Sequence, residues 1–453
     1  MARERNYATR PPSFCRLSPA IFSALAASLL GLFLRVPAVA QAPDDGGMAK
    51  VATITFSGST RFSSSEQELE KAIGLVPGTV VSRADIQVAA DRLSGLGWFT
   101  DVRYKFESNS KGVNIQFTMR DASCNPIWFD NFPWFSDEEF AAAIRAAGLP
   151  YDGTAPEEGT ALDGYREAIA RLLKSKNIVG QVEGELIQAP GSESMLERFR
   201  VTGNPVTVSS LEFSDATARD DTALKLSAQD VIIGKPYSRY NLALFLIEHV
   251  RPAYLSRGYL HAKFGEPAAE FIGDPNKPLS DHIDVRVPVI SGVLYHWGGA
   301  TWSGEIALDE TKLNSLLAFS PGDPADGLKL QAGWENITQE YSRRGYLDAK
   351  LNPVAQFDDA QGRVSYAVHI EEGIQYRMGQ LVLTGLSLAG ERDLLSHWKI
   401  ARGDIFDNSY YEDFLNGGAQ KIFKGSLVRF DHIGHLLRKD PKTKTVDVLL
   451  DFH

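Results

Sequence analysis

Cysteine is nearly absent: among 453 residues only Cys15 and Cys124 carry a thiol. No disulfide framework can staple such a chain, so its domains must stand on apolar cores. Clusters of Lys and Arg are missing as well. With a formal net charge of −10 and a pI near 5.5, the chain lacks the cationic face that a nucleic-acid partner needs. The motifs of common catalysts are also absent: no H-E-x-x-H, C-x-x-C, G-x-S-x-G or phosphate-cradling glycine loop occurs. His432-Ile433-Gly434-His435 places two histidines three apart without a third ligand at metal spacing, and reads as a surface loop. Asp and Glu are scattered as on a solvated surface. The expectation is a protein that is not an enzyme, with no cofactor, no metal and no small-molecule substrate.

Long apolar runs are confined to the first forty residues. Arg3, Arg5, Arg10 and Arg16 precede an apolar stretch from Ala20 to Leu34, and Val36-Pro37-Ala38-Val39-Ala40 follows. A charged start, an apolar middle and small residues before a cut after Ala40 describe an export signal over residues 1–40. The run is shorter than a membrane span needs, and Arg35 closes it. Its removal leaves Cys124 as the one thiol and a soluble exported product.

What is present is a repeat. Arg343-Arg344-Gly345-Tyr346-Leu347-Asp348-Ala349-Lys350 echoes Arg257-Gly258-Tyr259-Leu260-His261-Ala262-Lys263, with weaker copies at Gly95–Phe99 and Lys424–Val428. Each copy lies where a helical pattern gives way to an alternating one. The residues expected to end the second helix of each unit in left-handed geometry are Gly97, Asn177, Gly258, Gly345 and Gly425, spaced by 80, 81, 87 and 80. Glycine adopts that geometry freely and asparagine is its usual substitute. The last strands of the units end at Met119, Val201, Val289, Ile370 and Phe452, spaced by 82, 88, 81 and 82. Two landmarks with one period define a repeat. The fold class expected is α+β, an elongated tandem array of five β-α-α-β-β modules over residues 41–122, 123–204, 205–291, 292–373 and 374–453.

A unit of this size and order, with a G-Y-x-x-A joint and a Glu371-Glu372-Gly373 exit, resembles the polypeptide-transport-associated (POTRA) domain. Five in a row behind an export signal resemble the periplasmic arm of the BamA-type outer-membrane barrel-assembly proteins. After the fifth unit no residues remain for a membrane barrel, which needs at least eight strands; the expectation is a stand-alone POTRA protein or half of a two-component system. The resemblance implies a periplasmic scaffold at the inner face of the outer membrane. It would bind assembly machinery or unfolded outer-membrane proteins, with a separately encoded barrel as a further candidate partner. The alternatives are an envelope or cell-division scaffold with one fixed partner, and an enzyme with a site between modules.

The resemblance also implies that extended polypeptides add to the open edge formed by the second strand of each unit, where unpaired N–H and C=O groups accept an incoming strand. The candidate edge residues are Val102, Tyr104 and Phe106; Leu260, Ala262 and Phe264; and Leu347, Ala349 and Leu351. Gln181–Ile187 and Leu427–Ile433 are the corresponding edges of the second and fifth units. Pro267 and Pro353 limit pairing on two of these edges. Trp128, Phe132 and Trp134 form a candidate aromatic patch for a partner. The favoured reading of that stretch is nonetheless core packing, with Trp134 at the junction with the first unit. Tyr254 and Tyr341 are expected in the core.

Overall fold

In the computed structural model, residues 47–62, 66–203, 205–272, 281–304, 307–423 and 430–453 are described. The expected export signal over residues 1–40, with Cys15, and Gly425 lie outside them. The chain divides into residues 1–47 and residues 48–453, and all of the sheets belong to the second unit. Among the described residues no helix is long and apolar enough to cross a membrane.

Five times the chain lays its first strand parallel to its last and folds the strand between them antiparallel onto the last. The first sheet has the order β2-β1-β4-β3, from β1 (Ala49–Ser57), β2 (Val80–Val81), β3 (Phe99–Asn109) and β4 (Gly112–Asp121), with helices α1 (Glu66–Ile73) and α2 (Arg83–Gly95). The second, β6-β5-β8-β7, uses β5 (Cys124–Phe129), β6 (Thr154–Pro156), β7 (Gln181–Gln188) and β8 (Met195–Thr202), with α3 (Asp137–Ala146) and α4 (Thr160–Ser175).

The third is the most broken. Helices α5 (Ala216–Arg219) and α6 (Thr222–Val231) precede a helix formed by α7 (Arg239–Phe245), a π-helical turn at Leu246–Val250 and α8 (Arg251–Leu255). Its strands are β9 (Thr207–Phe213), β10 (Lys263–Phe264), β11 (Ala268–Phe271), β12 (His282–Val287) and β13 (Val289–Ile290), in a β11-β12-β9 sheet and a β10-β13 pair. The fourth sheet, β14-β16-β15, is built from β14 (His296–Gly304), β15 (Lys350–Asp358) and β16 (Arg363–Glu371), with α9 (Glu310–Leu317) and α10 (Gly327–Arg343). The fifth, β17-β19-β18, is built from β17 (Arg377–Thr384), β18 (Ile433–Asp440) and β19 (Thr445–Phe452). Helix α11 (Leu388–His397) accompanies it, with a second helix of α12 (Asn408–Asp413), a π-helical turn at Phe414–Gly418 and α13 (Ala419–Ile422).

Local sequence explains the elements. Ser82 and Ser136 begin α2 and α3 with reciprocal capping boxes to Asp85 and Glu139. Along β4 and β19 alternate residues are buried, because helices cover one face of each sheet while the other meets water. Tyr254 and Tyr341 are fully buried in the second helices of their units. The buried side chains of the first three sheets form one continuous cluster, whereas the fourth and fifth sheets each keep their own.

The stretch Asp121–Pro126, which the module boundaries make a short flexible linker, is strand at four of its six residues. Only residues 122 and 123 separate β4 from β5, and Ala122 N–H donates to the Trp98 carbonyl at 2.7 Å. The apolar pattern had not shown that β5 starts three residues after β4 ends.

Candidate functional site: sheet edges and joints

Among the described residues, the strand that precedes the last in each of the five larger sheets, β3, β7, β11, β15 or β18, is hydrogen-bonded on one side only. The opposite edge is treated differently. Its first strand is met by β2 and β6 in the first two sheets and by single bridges in the others, Thr207 to Pro236, His296 to Pro324 and Arg377 to Ile405. Each of these segments follows a left-handed glycine: Gly78, Gly153, Gly234, Gly322 or Gly403. In four of the five that glycine's N–H donates to the first strand, for example Gly78 to the Val51 carbonyl and Gly234 to that of Val208, both at 2.8 Å. Four residues after it stands the N-cap of the second helix, Ser82, Ser238, Asp326 or Asp407. The sequence therefore contains a third periodic landmark, glycine plus a cap four residues on, which sequence reasoning missed. The second unit departs from it, with Gly159 at the N-cap.

The candidate edge residues divide into two kinds. Val102, Tyr104 and Phe106 lie on β3, half-buried against the core, and Tyr104 Oη donates to Gln87 Oε1 at 3.0 Å. Their side chains serve the core, and the strand's backbone supplies the open edge. Leu351 is the second residue of the nine-residue edge strand β15, and Phe264 sits in the two-residue β10. Leu260, Ala262, Leu347 and Ala349 are not on strands, which corrects their assignment to edges. Ala262 N–H donates back to the Tyr259 carbonyl and Ala349 N–H to that of Tyr346, both at 3.4 Å, so each copy of the motif closes a turn before its strand begins. In the third unit the edge itself is β11, beyond Pro267. Of the fifth-unit edge, residues 427–429 lie outside the described residues, and the open strand seen is β18.

Those turns are joints. Gly258 and Gly345 have φ of +90° and +82°. The Gly258 carbonyl accepts the N–H of Tyr295 at 3.0 Å, and the Gly345 carbonyl that of Tyr376 at 2.8 Å, where the following sheet begins. A Cβ at Gly258 would lie 2.6 Å from the Tyr295 oxygen, and one at Gly345 2.5 Å from the Tyr376 oxygen. Glycine is thus required twice over, by left-handed geometry and by close approach. The rest of the motif is explained by packing. Tyr259 and Tyr346 pack edge-on against Tyr254 and Tyr341, with ring centroids 5.8 Å apart in both. Leu260 packs with Tyr295, and Leu347 with the fifth core. At the next position His261 faces the Tyr295 hydroxyl (3.3 Å), which donates to Asp359 at 2.6 Å; Asp348 pairs there with Lys439. Gly97, with φ of +95°, repeats the arrangement: a Cβ would meet the Glu158 carbonyl oxygen at 1.8 Å, and Trp98 is sealed between Phe62 and Tyr165.

Asn177 is also left-handed, at φ +58°, but the second and third sheets meet elsewhere. The buried Asp130 carboxylate accepts the Ser238 hydroxyl (2.9 Å) and the Tyr240 N–H (2.8 Å), capping α7 from the neighbouring sheet. Arg239 donates to the Phe129 carbonyl at 3.1 Å and pairs with Asp137 at 2.8 Å and with Glu266. The aromatic stretch belongs to the same region. Phe132 is buried against Phe140, Trp128 is half-buried beside Tyr240, and Trp134 is buried in a stack with Phe271 of β11. It forms no exposed patch. Trp134's stacking partner lies in the third sheet rather than the first, on the side where Arg239 bridges Asp137 and Glu266.

Residues 49–120 and 295–373 match the model of the POTRA family, described as a surface antigen variable number repeat. Those two segments carry POTRA domains. It is similar to a "Putative outer membrane protein assembly factor" of Treponema pallidum, 21% identical over 50% of this chain and 27% of that protein. It is also similar to the outer membrane protein assembly factor BamA of Buchnera aphidicola, 21% identical over 37% of this chain and 26% of that protein. The chain thus spans about a quarter of the length of these curated relatives. Among solved structures, POTRA3–5 of Haemophilus influenzae BamA is 18% identical, with a TM-score of 0.40, covering 55% of this chain and 96% of that one.

Three carboxylates are buried among the described residues. Besides Asp130, Glu372 of the expected exit motif is buried and accepts the Ala307 N–H. Glu197 is buried beside Arg166, and burial pushes its carboxyl up, with the guanidinium opposing. Burial likewise pushes the Cys124 thiol up. Among the described residues no group of three His, Cys, Asp or Glu could hold a metal. His435 lies in β18 rather than in a loop, with its Nδ1 2.9 Å from the Tyr411 hydroxyl.

Proposed function

We propose that this chain is a periplasmic scaffold of five POTRA-like modules, over residues 41–122, 123–204, 205–291, 292–373 and 374–453. It binds partner proteins or unfolded outer-membrane proteins by strand addition, in outer-membrane protein assembly at the inner face of the outer membrane. The observation that carries this is the set of strands paired on one side only among the described residues, in a chain with two POTRA-matched segments and similarity to outer-membrane assembly factors. An unpaired strand offers backbone hydrogen bonds to many sequences, as a scaffold with diverse clients requires.

The strongest single edge is β15. It runs nine residues in register with β16 and leaves Val354 60% exposed. Pro353 supplies no donor and suits an edge position, so strand addition centres on residues 354–358. A photoreactive residue at Val354 is expected to crosslink unfolded outer-membrane proteins or assembly components in cells. One at Glu335, exposed on α10, is expected not to. Equal or absent adducts at both positions would overturn the reading, and one stoichiometric adduct would replace it with a fixed-partner scaffold.

A further inference from the structure

The helices of the fourth and fifth units pack differently. In the fourth, Gly333 of α10 lets Leu317 of α9 approach so closely that a Cβ would lie 2.8 Å from its side chain. In the fifth, the second helix is interrupted at Asn416-Gly417-Gly418, where Gly417 has φ +124° and Asn416 leaves helical ψ. Two glycines and an asparagine inside a helix are unfavourable for the helix itself, and π-helical turns recur at functional positions. A groove of about 490 Å³ opens there, in the size range of binding clefts.

Its floor is apolar, from Tyr410, Phe414 and Ile422, and its rim carries Lys399, Lys421 and His397 against one acid among the described residues, Asp413. Neither Lys399 nor Lys421 has an ion-pair partner among the described residues, and both are exposed. On the adjoining α11, Leu395 and Leu388 are 54% and 77% exposed. A groove bounded by helices, with an apolar floor and an unpaired cationic rim, matches an amphipathic helix that presents one apolar stripe flanked by carboxylates.

We propose that this groove is the docking site for an acidic amphipathic helix of a partner protein. The site rests on the scaffold reading above but is separate from the strand edges. Its complementarity is electrostatic at the rim and apolar at the floor. Binding therefore weakens with added salt while the apolar anchor still contributes.

The test is fluorescence anisotropy with the full chain and a designed helical peptide bearing leucines at helical spacing and glutamates elsewhere. Its controls are the counterpart with lysine at every glutamate, an extended strand peptide and phosphatidylglycerol vesicles. The acidic helix is expected to bind, and Lys399→Glu with Lys421→Glu to weaken it about tenfold, the equivalent of ~1.4 kcal/mol. Both lysines are exposed, and unchanged circular dichroism would establish that the variant folds. A Val354→Pro variant is expected to leave helix binding intact while reducing strand-peptide binding. Strand-peptide binding that is absent from the wild-type chain, or unchanged in this variant, would therefore fail the scaffold's edge and spare this site. Equal affinity for the acidic and basic helices, no effect of the double reversal, or no binding at millimolar peptide would overturn the proposal. Lysine-dependent binding of the vesicles without the peptide would assign the groove to a lipid surface instead.

Discussion

The joint between the second and third sheets and the joints after Gly258 and Gly345 bring neighbouring sheets together by different means. The latter are made by backbone. A left-handed glycine offers its carbonyl to the first N–H of the next sheet, and the tyrosine carbonyl there lies within 2.6 Å of where a Cβ would stand. The former is made by side chains, with a buried carboxylate capping the neighbour's helix and Arg239 spanning Phe129, Asp137 and Glu266. A backbone joint forbids every side chain but hydrogen, so it writes itself into the sequence as G-Y-L-x-A. A side-chain joint makes no such demand at the helix end, which is why Asn177 suffices there. The recurring motif marks where sheets touch through backbone, not merely where helices stop.

The largest break in that comparison should come from Gly345→Val. A β-branched residue in left-handed geometry, with its Cβ against the Tyr376 oxygen, is expected to cost on the order of 3 kcal/mol in urea unfolding. A curve matching wild type would remove both roles of the glycine. Next, Asp130→Ala strips the acceptor from the Ser238 hydroxyl and the Tyr240 N–H in a buried joint. It should cost about 2 kcal/mol, read as loss of protection from hydrogen exchange at the start of α7. Unchanged protection there would mean that α7 does not depend on its neighbour for a cap.

Smaller is the effect of the clasp at the joint between the fourth and fifth sheets. The hydrogen bond from Lys439 to Asp348, ahead of burial in the opposite sense, holds that carboxyl below its ordinary range. A depressed folded value means the contribution is complete above the unfolded carboxylate value of about 3.9 and is lost as pH falls through the folded one. Lys439→Ala should therefore leave neutral stability within about 1 kcal/mol of wild type, the pair being exposed. It should also abolish the part of the acid-side loss that belongs to this carboxyl; an acid titration identical to wild type would count against the clasp. Smallest is Asn177→Gly, expected within about 0.5 kcal/mol of zero. A large change would show a contact of Asn177 that the joint requires.

Much of this was legible in the sequence because it is carried by short-range physics. Left-handed helix ends, capping serines and alternating strands depend on neighbours within a few residues, and Gly97, Asn177, Gly258, Gly345, Ser136 and β19 declare them. The Gly-x-x-x-cap landmark was equally local, and needed only alignment of Gly78, Gly234, Gly322 and Gly403 with the helix starts beyond them. Less legible were the places where local pattern and tertiary contact compete. Leu260 and Leu347 alternate as if in strands, yet the turns closed by Ala262 and Ala349 turn them towards the next sheet. Trp128, Phe132 and Trp134 read as core more readily than as surface, yet nothing local says which sheet Trp134 meets.

By itself the sequence determined the period, the order of elements in each unit and the glycines on which the backbone turns, because steric limits on φ and the alternation of a pleated strand act residue by residue. Which surfaces meet was decided only in three dimensions. Asp130 reaches a helix more than a hundred positions away, and the helices of the fifth unit part where those of the fourth close. Such contacts depend on where whole elements come to rest, and burial of a carboxylate or exposure of a groove exists only once they have.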